Sequence, residues 1–203
     1  MPTPKQLLLT DDRGTTRCWW CGTDPVYQAY HDDEWGFPVA DETRLFEKVC
    51  LEGFQAGLSW ITILRKRENF RRAFRGFDRE TLARFNARSV DRLVQDASIV
   101  RHRGKIESVL NNAKRARELV DEAGGLAAFF WRFEPPRRFS GLQSTSPASH
   151  AISTELKARG WTFVGPTTIY AFMQAMGLVN DHVPGCASRP KAEKARRRFR
   201  VPR

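Results

Sequence analysis

No stretch of this 203-residue chain approaches the roughly 20 consecutive apolar residues that a membrane helix needs. The first sixteen residues, MPTPKQLLLTDDRGTT, hold one apolar triplet followed by two acids and do not read as a signal peptide. Cysteine is scarce. Cys18, Cys21, Cys50 and Cys186, with no secretion signal, favour reduced thiols or metal ligands over a disulfide scaffold. These absences point to the cytoplasm and to no membrane partner. Strand signals are almost missing, and there is no internal repeat. Acids are outnumbered, 23 Asp and Glu against 34 Lys and Arg, which leaves a net charge of +11 and suggests a polyanionic partner. Residues 187–203 hold eight Lys/Arg and one Glu, so +7 of that charge sits in a tail that reads as a disordered basic arm raising non-specific affinity for nucleic acid. A solubilising terminus is the plainer alternative, and charge alone does not separate DNA, RNA and membrane surfaces.

What the chain does have is helical periodicity. At 41% hydrophobic it can bury a core as one domain or a two-lobed one. Leu45, Phe46, Val49 and Cys50 share a face of a helix over 42–52, and residues 54–74 continue the helical pattern. Asp78 can cap a short helix holding Leu82 and Phe85, and Ser89 one holding Val90, Leu93, Val94 and Ala97. The clearest helix carries Ile106, Val109, Leu110, Ala113, Ala116, Leu119 and Val120 and stops at Gly124-Gly125. A helix over 126–133 precedes Pro135-Pro136, and Arg137–Thr145 reads as a loop between lobes. Ser146-Pro147 open a helix that Gly160 closes, and Gly165-Pro166 precede a last one ending at Gly177. The fold class is all-α.

Three groups of residues can carry chemistry. Cys18-x12-His31 near the start and His182-x3-Cys186 near the end offer two thiolates and two imidazoles, a full tetrahedral set for a structural metal. Cys21 offers a rival to His31, and ordinary buried cysteines and histidines are the plain alternative. Arg101, Arg103, Gly104 and Lys105 fall in a turn before the long helix, where backbone N–H groups and charge suit a phosphate; a solvated basic loop explains them equally well. Glu52 lies in an apolar stretch, in a chain rich in Trp19, Trp20, Tyr27, Tyr30, Trp35 and Trp60. A carboxylate among aromatic faces suits a flat cationic heterocycle, although an aromatic core with a paired glutamate at its edge fits composition better.

Four segments, RCWWCGTDPVYQAYHDDEWG, FEKVCLEGFQAGLSWITILRKRENFR, VQDASIVRHRGKI and FVGPTTIYAFMQAMGLVNDHVPGC, resemble the 3-methyladenine DNA glycosylase type I family of bacterial alkylation-repair enzymes, in order from Arg17 to Cys186. The resemblance implies a single two-lobed domain over 17–186, of the helix-hairpin-helix glycosylase type, after a flexible extension over 1–16. It implies one structural zinc on Cys18, His31, His182 and Cys186, joining the N- and C-terminal segments, and so decides against Cys21. Family members commonly have an apolar residue where Cys21 stands, which is a departure here. The base pocket falls on Glu52, Tyr27, Tyr30 and Trp60, with Trp20 and Trp35 nearby. Gly57-Leu58 falls where a wedge fills the gap left by a flipped nucleotide, and the turn at 99–105 takes the phosphate-binding role. The implied substrate is 3-methyladenine in double-stranded DNA, acted on by a monomer associated with the bacterial nucleoid. Many superfamily relatives use an aspartate after the hairpin, but no acid stands between Glu107 and Glu118 here. No lysine is evidently poised as a Schiff-base nucleophile either, so a hydrolase that leaves an abasic site uncut is expected.

Overall fold

A computed structural model describes residues 4–136, 141 and 143–202. The chain begins with a feature the sequence did not signal. A 3-10 turn, Pro4–Leu7, leads into β1 (Leu8–Thr10), which pairs antiparallel with β2 (Thr16–Cys18), Leu8 opposite Cys18. The Asp11 carboxylate accepts from the Arg13 and Thr15 amides and so closes the connecting turn. Buried Leu7 joins Cys18, Val183 and Cys186 in a small apolar cluster. The described part of the segment read as a flexible extension, from residue 4 on, is therefore a turn and hairpin fastened at its connecting loop and by buried Leu7. Its strands are too short for an alternating pattern to show in the sequence.

Helix α1 (Pro25–Asp33) starts with Pro25 at its first position, and the Asp24 side chain caps the Val26 and Tyr27 amides. Helix α2 (Glu42–Gln55) is capped by Asp41. The single pattern expected over 54–74 is broken. Gly57 adopts φ 79°, a left-handed conformation that suits glycine, and the chain turns before α3 (Trp60–Arg65) and α4 (Arg67–Ala73). Asp78 caps α5 (Arg79–Ala83) as expected. Helix α6 (Ala87–Gln95) starts earlier than Ser89. Asn86 is its cap, and Ser89 is the other half of a reciprocal capping box. The long helix, α7 (Arg103–Ala123), ends on left-handed Gly124, and α8 (Leu126–Trp131) follows. Most of the loop expected at 137–145 lies outside the described residues. Ser146 caps α9 (Pro147–Ala158), and α10 (Pro166–Ala175) follows Gly165.

α2 is the central element. It packs on α7, α8 and α10, and ten of its fourteen residues are buried. Its Leu45, Phe46 and Val49 meet Ile106, Val109 and Ala113 of α7 in one continuous core that also holds Phe70, Phe130 and Phe172. Residues from both sides of the loop expected at 137–145 share this core. Glu52 lies in the last turn of α2 and is buried with it.

The C-terminal tail, expected to be disordered, forms helix α11 (Arg189–Arg198). Charge hid its anchors. Arg196 is buried, donates from Nε to Glu134 at 2.8 Å and stacks over Trp131, while Arg189 donates to the His182 carbonyl at 2.6 Å. Two of the tail's cations are therefore structural. Lys191, Lys194, Arg197 and Arg198 stay exposed. Replacing these four by glutamine is expected to leave thermal stability unchanged and to flatten the salt dependence of DNA binding, by about 0.9 in log–log slope for each phosphate no longer neutralised. An unchanged slope would show that α11 does not touch DNA. Among the described residues no helix is long and apolar enough to cross a membrane.

Candidate active site and metal centre

Glu52, Tyr27, Tyr30, Trp60, Trp20 and Trp35 all line one cavity of about 250 Å³, completed by Trp19, Gln55, Gln143, Ala171, Gln174 and Asp181. The size is below the ~300–1,000 Å³ of drug-sized pockets and suits one flat heterocycle. α1 supplies the two tyrosines, α2 the glutamate, and the turn after Gly57 brings in Trp60 at the start of α3. Tyr30 and Trp60 lie with ring centroids 5.4 Å apart, and Trp20 sits 5.0 Å from Tyr27 and 4.9 Å from Trp35.

Glu52 is not an edge residue of an aromatic core. It is 4% exposed, and its Oε1 pairs with Lys48 at 2.7 Å while Oε2 has no hydrogen-bond partner among the described residues. Burial raises the Glu52 carboxyl above its ordinary range, and Lys48 opposes that rise. Burial likewise lowers the Lys48 ammonium to about 8 and pushes Tyr27 up to about 12. The Trp60 indole N–H is buried and unpartnered as well. An unpaired buried acceptor and donor beside aromatic faces cost free energy unless a ligand satisfies them. A larger cavity of about 670 Å³ adjoins this one through Gln143 and Asp181, but among the described residues Tyr170 is its only aromatic lining residue.

At the other end of this aromatic cluster, Cys18, His31, His182 and Cys186 bring one ligand atom each within 4.8 Å of one another, and all four are buried. His31 Nε2 is 3.2 Å from His182 Nδ1, and Cys186 Sγ is 3.5 Å from each of these nitrogens. Each ring is turned by its other nitrogen. His31 Nδ1 meets Asp32 Oδ1 at 2.7 Å, and His182 Nε2 meets the Trp35 carbonyl at 2.9 Å. Such outer partners fix the tautomer that a metal-binding imidazole needs. Cys21 takes no part; its thiol donates to the Cys18 carbonyl at 3.1 Å. The Trp35 ring lies 4.7 Å from that of His182, so one side chain touches both metal set and cavity.

The residues expected to meet DNA divide. α6 and α7 form the expected helical pair, with Arg101 and Arg103 exposed at the turn, Arg103 bridged to Asp91 at 2.7 Å. Leu58 is 41% exposed beside left-handed Gly57. Lys105 departs from expectation. Its ammonium is turned inward and donates to the Phe54 carbonyl at 2.9 Å and to that of Ala56, closing the C-terminus of α2. Its amide is also taken, by His102 Nδ1 at 3.2 Å. Lys105 therefore fastens the hairpin to the Gly57–Leu58 turn, because the carbonyls left open at the end of α2 need a cation more than the solvent does.

Residues 20–189 match the profile of the methyladenine glycosylase family. The chain belongs to that family. It is 49% identical over 181 residues to DNA-3-methyladenine glycosylase 1 of Escherichia coli (strain K12), covering 86% of this chain and 97% of that protein. A crystal structure of 3-methyladenine DNA glycosylase I superposes with a TM-score of 0.82 at 47% identity, over 86% of this chain and all of that one. A single-residue variant of 3-methyladenine DNA glycosylase I in complex with 3-methyladenine gives a TM-score of 0.81 at 34% identity, over 86% of this chain and 97% of that one. The protein is thus a methyladenine glycosylase with the helical fold of its relatives.

Two residues that line this glycosylase's cavity, Asp181 and Gln174, and the lysine paired with Glu52 behind it carry no clear signal in the sequence. Lys48 stands one helical turn before Glu52, a legible i,i+4 pair within an apolar run, and brings a lysine to a site where none was evident. Asp181 precedes His182 in sequence; its Oδ2 accepts from the Tyr170 hydroxyl at 2.6 Å and from Gln174 at 2.8 Å. Gln174 carried no signal of its own.

Proposed function

We propose that this chain excises 3-methyladenine from alkylated double-stranded DNA, hydrolysing the N-glycosidic bond of a flipped-out nucleotide and leaving an abasic site. The unpartnered Glu52 Oε2 beside the Tyr30 and Trp60 rings carries this reading. A base methylated at N3 bears positive charge, so its glycosidic bond is already weak and the base leaves without being protonated by the enzyme. What remains is to extrude it, hold it, and stabilise an oxocarbenium-like sugar. Glu52 accepts from the exocyclic amine, and the Tyr30 and Trp60 faces attract the cationic ring, each such contact worth up to about 2 kcal/mol when desolvated. Neutral adenine gains less from the same groups. Gly57-Leu58 supplies the wedge, and the turn with Arg101, Arg103 and the Gly104 backbone lies against phosphate. The enzyme works as a monomer in the bacterial cytoplasm, at the nucleoid.

Cys18, His31, His182 and Cys186 hold one structural zinc in this reading. A tetrahedron with metal–nitrogen and metal–sulfur distances of about 2.0 and 2.3 Å has edges of roughly 3.3–3.8 Å. Four of the six separations, 3.2, 3.5, 3.5 and, for Cys18 Sγ to His182 Nδ1, 3.8 Å, lie near these edges, and all six fall within 4.8 Å. Four protein ligands leave no position for substrate, so the ion joins β2 and α1 to the segment before α11.

Lys48 bears on strand cleavage. Glu52 Oε1, the Tyr30 hydroxyl and the Trp60 face hold its nitrogen as an ammonium, which carries no lone pair to attack the sugar. Methylated duplex treated with the protein is therefore expected to stay intact until alkali cuts it, and borohydride is expected to trap no protein–DNA adduct. A trapped adduct would make the enzyme a lyase as well.

A further inference from the structure

Lys48 is a costly residue to bury, and the excision chemistry above gives it no task. It is 5% exposed. Its ammonium pairs with Glu52 Oε1 at 2.7 Å, donates to the Tyr30 hydroxyl at 2.8 Å, and stands 3.2 Å from the Trp60 ring centroid. An ammonium has three donors and no acceptor, whereas a phenol offers one donor and accepts through its oxygen. Tyr30 must therefore accept from Lys48, and its single O–H is left to donate elsewhere. Burial holds the Tyr30 phenol far above its ordinary value, so it keeps that proton. Lys48 also occupies Oε1 of Glu52 and leaves Oε2 as an acceptor with no partner. The wall thus presents a carboxylate acceptor beside a phenolic donor.

That order matches one purine edge and opposes another. Adenine shows its N6 amine as donor beside N7 as acceptor, whereas guanine shows two acceptors, O6 and N7. An alkylated adenine satisfies both wall groups. An alkylated guanine in the same pose sets O6 against the Glu52 oxygen, two acceptors with no proton between them.

We propose that Lys48 is a positioning residue that fixes this acceptor–donor order and thereby makes the pocket select alkylated adenine over alkylated guanine. The inference rests on the Glu52 cavity being the base site. Without the ammonium, burial favours the protonated Glu52 carboxyl, which can donate to a guanine O6, and the Tyr30 hydroxyl is free to rotate. Selectivity then relaxes.

The test compares 3-methyladenine with 3-methylguanine, two lesions alike in methylation site and differing at the edge read by the wall. Both bases released from methylated duplex are quantified by chromatography for wild type and Lys48→Met. The 3-methyladenine to 3-methylguanine rate ratio is expected to fall tenfold or more in Lys48→Met. A purely structural lysine would slow both lesions alike and leave the ratio unmoved. Should Lys48→Met fail to fold, Lys48→Gln is read the same way, since its shorter uncharged side chain cannot span both contacts. A ratio within twofold of wild type in either folded variant overturns the proposal, as does a wild-type ratio near one. Failure of the pocket reading shows separately, as unchanged release of both bases in Glu52→Gln.

Discussion

Glu52→Gln is expected to slow 3-methyladenine release from methylated duplex DNA by about two to three orders of magnitude. The variant keeps the side chain's shape but removes the charge that meets a cationic base, and losing one preorganised electrostatic interaction of this kind costs about 2.7–4 kcal/mol of barrier. Glutamine is a cleaner probe than alanine. Glu52 is the counter-ion of buried Lys48, and removing one partner of a buried pair costs roughly 3–5 kcal/mol of stability. Part of that loss is relieved because burial already lowers the Lys48 ammonium to about 8, so the lysine can shed its proton. Single-turnover rates with enzyme in excess separate the chemical effect from weaker DNA binding. An unaltered rate would remove Glu52 from the reaction.

Stripping the metal is expected to lower the melting temperature by about 10 °C or more, with Cys186→Ser close behind. A structural zinc contributes folding free energy outright, and each kcal/mol moves the midpoint by about 2–4 °C in a chain of this size. Cys18, His31, His182 and Cys186 come from β2, α1 and the segment before α11, and that segment is held to Thr16 by the Ala187 amide at 2.8 Å. Both chain ends loosen together when they separate. The Trp35 ring between His182 and Trp20 carries the disturbance to the cavity, so base binding is expected to weaken more than the chemical step. Scanning calorimetry with and without chelator reads the first effect. Folded, active protein that contains no metal would end this part of the account.

The helices were legible where their signals were local. Asp78, Ser146-Pro147 and Gly124 sit where capping chemistry places them, and the apolar stripe of α7 is buried as its periodicity requires. The gathering of Cys18, His31, His182 and Cys186 was legible because thiolates and imidazoles occur as pairs near both ends of the chain. What escaped depends on partners far along the chain. The break after α2 follows from a single left-handed glycine within an otherwise helical pattern. Lys105 reads as a phosphate contact until the open carbonyls of Phe54 and Ala56 are seen beside it. Arg196 reads as one charge among many until Glu134 and Trp131 receive it. In each case a cation that composition assigns to solvent closes a contact inside the protein. Lys48 belongs to the same class, although its spacing from Glu52 could have been noticed.

The most direct measurement is chromatography of the bases that wild-type protein, loaded with zinc, liberates from methylated duplex DNA. Free 3-methyladenine is expected, at a rate that Glu52→Gln lowers by about two to three orders of magnitude, with 7-methylguanine left in the strand. No release of 3-methyladenine from folded, metal-loaded protein would contradict the account and leave a scaffold that binds damage without excising it.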